Sequence, residues 1–331
     1  MTQSTMAREA AQSPQIIAGQ LKNNAAVCER LGERFRSSPP RAIMMIGRGT
    51  SDHAGVFAKY LFEVGCGVPV ISAAPSVAGV FNSTLNLEGA VAIAISQSGK
   101  SPDILHQMKL AKEGGAFCIA LVNDTSSPLV ALADDVLPLG AGEEKAVAAT
   151  KSYLATLSAL CQLYASWAQN AELQRALEQL PHNMAEAAGE SPRLTPEALA
   201  GVAHCVVLGR GFGYAIAREI ALKLKEVLGV HAEAFSSAEF LHGPVTLVEK
   251  KLCVLNVSVG DETLDVHQSQ LDEISRRGAR VVDLSLPLAV HPRLQPLVMM
   301  QRFYLDIEQV AQANGLDPDS PPGLKKVTET R

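Results

Sequence analysis

The feature that most constrains this chain is that it repeats itself. Residues 42–49 read AIMMIGRG and residues 203–211 read AHCVVLGRG. Each is a short apolar run ending in Gly-Arg-Gly, the pattern of a buried strand that leaves into a tight turn. A second pair follows, AVAIAIS ending at Ser96 and LCVLNVS ending at Ser258. Gly47 and Gly209 lie 162 residues apart, and so do Ser96 and Ser258. Equal offsets at two landmarks imply two copies of one α/β unit, each with a mainly parallel sheet and crossover helices. A chain of 331 residues is long enough to give each copy its own core.

The copies suggest boundaries. Residues 1–40 form a helical arm closed by SSPP, 41–190 a first unit, 191–313 a second unit, and 314–331 a Pro- and Gly-rich tail. Leu154, Leu157, Leu160 and Leu163 predict one long helix over 151–180, and ESPRLTPEA at 190–198 supplies breakers. The tail has the composition of a disordered end.

Composition narrows the function classes. A net charge of −5 and only 5% aromatic residues argue against a nucleic-acid partner. Cys28, Cys66, Cys118, Cys161, Cys205 and Cys253 are scattered with no C-x-x-C pair, so they read as small core residues in a reducing compartment. No basic segment followed by an apolar core opens the chain, and no apolar run reaches membrane length, so a cytoplasmic protein is expected, with no membrane partner.

Two loops could hold an anion. The second strand of the first copy runs into SQSGKSPD, residues 96–103. Ser96, Gln97 and Ser98 offer polar side chains, Gly99 permits a tight turn, and Ser101 is placed to cap a helix that starts at Pro102. Free N–H groups at that helix start would suit a phosphate, although a plain capped turn has the same composition. In the second copy the matching SVGDE carries Asp261 and Glu262, which would repel one. GRGTSDHA, residues 47–54, places Thr50 and Ser51 at the neighbouring strand end; it fails as a dinucleotide fingerprint because Asp52 stands where a third glycine is needed. His53 reads as structural.

Downstream, Ile216, Ile220, Leu224 and Val227 make an apolar helical stripe, with Glu219, Lys223 and Glu226 on another face. That triad reads either as a solvated ion-pair ladder or as part of a site. His231, Glu233 and His242 are equally open to a surface reading, and H-x-E is weak evidence for a metal.

The stretches GRGTSDHA, SQSGKSPD, EEKAVAATKSY, ALKLKEVLGVHAEAFSSAEFLHGP and GLKKVT, in this order, resemble the sugar isomerase (SIS) domain family. The likeness is greatest to the isomerase half of glutamine–fructose-6-phosphate transaminase and to its stand-alone relatives. The resemblance implies two tandem three-layer α/β/α units. It further implies that Thr50, Ser51, Ser96, Gln97 and Ser98 bind a sugar phosphate, with Ser101 closing the loop. Glu226 would move a proton between C1 and C2, and His242 would open the sugar ring from a neighbouring subunit, making a homodimer with shared sites. Lys223 and Lys326 would lie near the open-chain sugar, Glu144, Val147 and Ala148 would line it, and the tail would close as a lid. No metal or cofactor is implied.

The chain starts near the isomerase region, so glutamine-dependent synthesis is not expected. The SQSGKSPD loop departs from the acidic-then-threonine form of the transaminase. The implied reaction is therefore glucosamine-6-phosphate to fructose-6-phosphate plus ammonia. The alternatives are a galactosamine-6-phosphate deaminase, a fructosamine-phosphate deglycase, or a non-catalytic sugar-phosphate-binding regulator.

Overall fold

The structure, a computed structural model, describes residues 3–326, and of Lys250 the backbone alone. The chain forms two compact units. One gathers Gln15–Glu144, Lys151–Glu178 and Lys325–Arg331; the other gathers Met1–Pro14, Lys145–Thr150 and Gln179–Leu324. Each holds one sheet. The 40-residue arm is helical, as α1 (Thr5–Ala11) and α2 (Ser13–Ser37), and its first 14 residues group with the second sheet.

The first sheet is built from β1 (Ile43–Ile46), α3 (Thr50–Cys66), β2 (Val70–Ser72), α4 (Pro75–Gly79), β3 (Val91–Ser96), α5 (Pro102–Glu113), β4 (Phe117–Val122), α6 (Pro128–Leu132) and β5 (Asp135–Pro138). Its strands are all parallel, in the order β2-β1-β3-β4-β5. β1 and β3 are buried along their whole length, as expected of strands covered on both faces. Met44, Ile46, Ala92 and Ala94 pack with Ile104, Met108 and Leu129 on one face. On the other face Gly55 of α3 approaches Met45 so closely that a Cβ there would lie 3.2 Å from it.

The predicted helix over 151–180 is two helices, α7 (Lys151–Trp167) and α8 (Ala171–Gly189). Gln169 takes a left-handed φ of 51°, which ends the first helix. Asn170 restarts the chain by accepting from the Leu173 N–H at 2.9 Å. Leucine spacing alone could not report that break.

The second sheet is built from β6 (His204–Gly209), α9 (Phe212–Leu228), β7 (His231–Ser236), α10 (Ser237–Leu241), a 3-10 stretch (Pro244–Lys250), β8 (Cys253–Val257), α11 (Leu264–Arg276) and β9 (Arg280–Asp283), followed by α12 (Gln295–Ala313). Its four parallel strands run β7-β6-β8-β9, the order that opens the first sheet.

The repeat holds to the residue. α3 and α9 are both 17 residues long and begin after Gly49 (φ 52°, ψ −124°) and Gly211 (φ 54°, ψ −126°). Both end at a left-handed glycine with φ 65°, Gly67 and Gly229. Every one of these pairs is 162 residues apart. The glycine that closes each strand is forced as well. A Cβ on Gly47 would lie 2.8 Å from the Ser51 backbone, and one on Gly209 would lie 2.4 Å from the Gly213 backbone. Among the described residues no helix is long and apolar enough to cross a membrane. The described cysteines are free; Cys66 is half-buried and the other five are buried.

Candidate active site

In the first sheet the chain steps from β1 outward to β2, then returns past β1 to β3 and continues that way to β4 and β5. β1 and β3 are neighbours, so the crevice beyond their carboxyl ends is the topological switch point where α/β sheets hold ligands. Thr50 and Ser51 start the helix after β1, and Ser96, Gln97, Ser98 and Ser101 form the turn after β3. The fold thus brings these six residues to one rim.

The turn is held by its own side chains. The Ser96 hydroxyl accepts from the Gly99 N–H at 2.9 Å, and the Ser98 hydroxyl from the Lys100 N–H at 3.3 Å. Gly99 is left-handed (φ 63°), and a Cβ there would sit 2.0 Å from the Ser127 Oγ, so no other residue fits. Ser101 has the backbone of an N-cap, but its side chain makes no capping bond; its hydroxyl stays out of the helix. Lys100 pairs at 3.0 Å with Asp124 on the surface.

One participant was not read from sequence. Arg48 Nε pairs at 2.6 Å with Asp103 Oδ2, ionically linking the β1 turn to the first turn of α5. Asp103 is buried in that pair, so its charge at the rim is neutralised. The signal was the arginine inside Gly-Arg-Gly.

The second sheet has an equivalent switch point, and it is filled. The Asp261 carboxylate accepts from the Phe212 N–H at 3.3 Å, from the Thr263 N–H at 2.8 Å and from the Thr263 hydroxyl at 2.5 Å. A side-chain anion occupies the start of α9.

Glu219, Lys223 and Glu226 lie on α9, but not on a solvated face. Glu219 and Lys223 are almost wholly buried, at 0% and 1% exposure, while Glu226 keeps 24%. Lys223 Nζ is 3.1 Å from Glu219 Oε1 and 2.7 Å from Glu226 Oε2. Burial pulls the lysine pKa down, but the two carboxylates and their hydrogen bonds outweigh it, and the ammonium is held above its ordinary value. Tyr304 of α12 donates to Glu219 at 3.4 Å. A partly exposed carboxylate beside a fixed ammonium is a base whose position is set and whose charge is compensated.

Glu144 is buried, accepts from the Ser152 N–H (3.1 Å) and hydroxyl (2.7 Å), and pairs with Lys326 at 3.1 Å. These three belong to the first-sheet unit. Val147 and Ala148 belong to the other unit. There, Glu9 of α1 accepts from the N–H groups of Lys145 (2.5 Å) and Ala146 (3.2 Å). Asp319 accepts from the N–H groups of Thr5 (2.8 Å) and Met6 (2.7 Å), and its carbonyl accepts from the Val147 N–H at 3.0 Å. These clamps span up to 314 positions in sequence, and no local pattern announces them.

His242 caps the end of α10, exposed, with its N–H on the Glu239 carbonyl at 3.0 Å. Residues 327–331 of the expected lid, including Val327 and Thr328 of GLKKVT, lie outside the described residues. Among the described residues no group of three or more His, Cys, Asp or Glu is placed to hold a metal ion.

The SIS domain model matches residues 38–166 and 198–286, one match on each sheet. The chain belongs to the SIS domain family. It is 33% identical over 318 residues to the isomerizing glutamine–fructose-6-phosphate aminotransferase of Methanothermobacter thermautotrophicus, covering 91% of this chain and 52% of that protein. The chain thus spans about half the length of the curated relatives it matches. Two crystal structures share the fold of this SIS protein. One, from Silicibacter pomeroyi DSS-3 and provisionally assigned as a phosphosugar isomerase, has a TM-score of 0.89 and 35% identity, covering 96% of this chain and 100% of that one. The other is the C-terminal domain of glucosamine-fructose-6-phosphate aminotransferase from Francisella tularensis, with a TM-score of 0.83 and 26% identity, covering 97% and 99%.

Proposed function

We propose that this SIS protein isomerises an amino-sugar phosphate and hydrolyses the resulting C2 imine, converting glucosamine-6-phosphate and water to fructose-6-phosphate and ammonia. The observation that carries the reading is the buried Glu219–Lys223–Glu226 array. A proton beside a carbonyl or imine is weakly acidic, and its removal needs a carboxylate fixed in place and shielded from bulk water. Glu226 is the one acid of the array with solvent access, so it is the base. Lys223 keeps it oriented.

In this reading the phosphate sits on Thr50, Ser51, Ser96, Gln97 and Ser98 at the first switch point. Glu144, Val147 and Ala148 line the sugar, and the tail with Lys326 closes over it. His242 opens the ring; its exposure suits a histidine that serves the site of a second copy, which makes the working form a homodimer. The aminotransferase names of the relatives support an amino-sugar phosphate, and Gly-Lys-Ser after Gln97-Ser98 favours the deaminating direction.

Glu226→Gln tests the assignment. The variant is expected to bind glucosamine-6-phosphate with little change and to release no ammonia. Turnover that survives the substitution moves the base elsewhere.

A further inference from the structure

The opposite edge of the second sheet carries a cleft that this reaction does not use. It has a volume of about 940 Å³ and lies wholly in the second-sheet unit. The first residues of all four strands line it: His231 of β7, His204 of β6, Cys253 of β8 and Arg280 of β9. Lys251 joins them from the end of the 3-10 stretch, and Glu233 is its one acid.

Lys251 and Arg280 are both exposed, and among the described residues neither is in an ion pair; the Arg280 side chain hydrogen-bonds the Cys253 thiol. Lys251 is held in the left-handed region (φ 58°), a conformation of real cost for a side chain of this size. The His204 and His231 rings stand edge to face with Nδ1 atoms 3.4 Å apart. Val202, Val206, Leu247 and Leu252 give the same cleft an apolar wall.

We propose that this cleft binds a phosphomonoester with an apolar body, as a second anion site distinct from the switch-point loops. Arg280 and Lys251 take the phosphoryl oxygens, and the histidine pair offers ring N–H donors beside them. The groups facing that pair are Glu233, Lys251, Arg280 and the Cys253 thiol; Lys225 is bonded to the Ala232 carbonyl at 2.9 Å.

Calorimetric titration of the full chain with phenyl phosphate tests this. The wild type, Thr50→Ala/Ser98→Ala and Lys251→Ala/Arg280→Ala are compared after their circular dichroism melts confirm folding. Loop-independent binding that persists in the first variant and weakens at least tenfold in the second supports the site. Binding wholly lost with the loop residues, or unchanged without Lys251 and Arg280, overturns it.

Discussion

Lys223→Met is the most informative single perturbation of this protein's interior. It removes the ammonium between Glu219 and Glu226 while keeping the aliphatic volume. Glu226 can rehydrate through its exposed quarter. Glu219, with no exposed surface, loses the ammonium and keeps the Tyr304 hydroxyl at 3.4 Å. Removing one partner of a buried ion pair costs about 3–5 kcal/mol. In a unit of this size that lowers the melting temperature by roughly 2–4 °C per kcal/mol. The stranded carboxyl escapes by taking a proton, so its folded pKa lies above its unfolded one. The loss is then largest at pH well above the unfolded value and shrinks as pH falls toward it. Urea unfolding followed by circular dichroism, at mildly acidic and mildly alkaline pH, reads both effects. Adding Glu219→Gln to Lys223→Met should recover most of the lost stability. A Lys223→Met protein within about 1 kcal/mol of wild type at alkaline pH would refute the claim that this pair is desolvated.

Three further outcomes are expected. Burial, aided by the Arg210 charge, pushes the His267 pKa down to about 4, so the fold loses stability as pH falls from about 6.5 toward 4 while the unfolded chain takes up the proton first; His267→Gln should flatten that part of the acid-unfolding profile. Gly209→Ala must displace backbone at 2.4 Å and should cost about 1–3 kcal/mol in urea unfolding, with Gly47→Ala also raising KM because Thr50 and Ser51 shift. Asp319→Ala removes both acceptors at the start of α1 and should cost about 1–2 kcal/mol, seen as faster amide exchange at Thr5 and Met6, with Val147, held by the residue 319 backbone carbonyl, changed least.

Much of the architecture was legible because it is local and repeated. Gly-Arg-Gly needs a positive φ at its second glycine and no Cβ at its first, so the two copies announce the same strand-turn-helix twice. The SQSGKSPD turn was legible for the same reason. Its glycine is sterically required and its serines bond within the turn.

Three things were not legible, each for a physical reason. Glu219, Lys223 and Glu226 have the spacing of a surface ladder, and their burial is imposed by α12, which contributes Tyr304 from 85 positions away. Asp261 reads as a repelling acid in sequence, whereas in space it occupies the anion position itself. Glu9 and Asp319 act on backbone N–H groups far along the chain, and side-chain-to-backbone bonds leave no pairing pattern. Ser101 shows the converse: sequence supplied the capping residue type, and the backbone took the capping conformation without the side-chain bond.

The central claim is tested most directly by ammonia release from glucosamine-6-phosphate, with galactosamine-6-phosphate and a fructosamine-6-phosphate run in parallel. The account predicts ammonia and fructose-6-phosphate in equal amounts from the first substrate, abolished in Glu226→Gln. Tight binding of all three sugar phosphates with no release from any would contradict it and leave a sugar-phosphate-binding regulator as the better description.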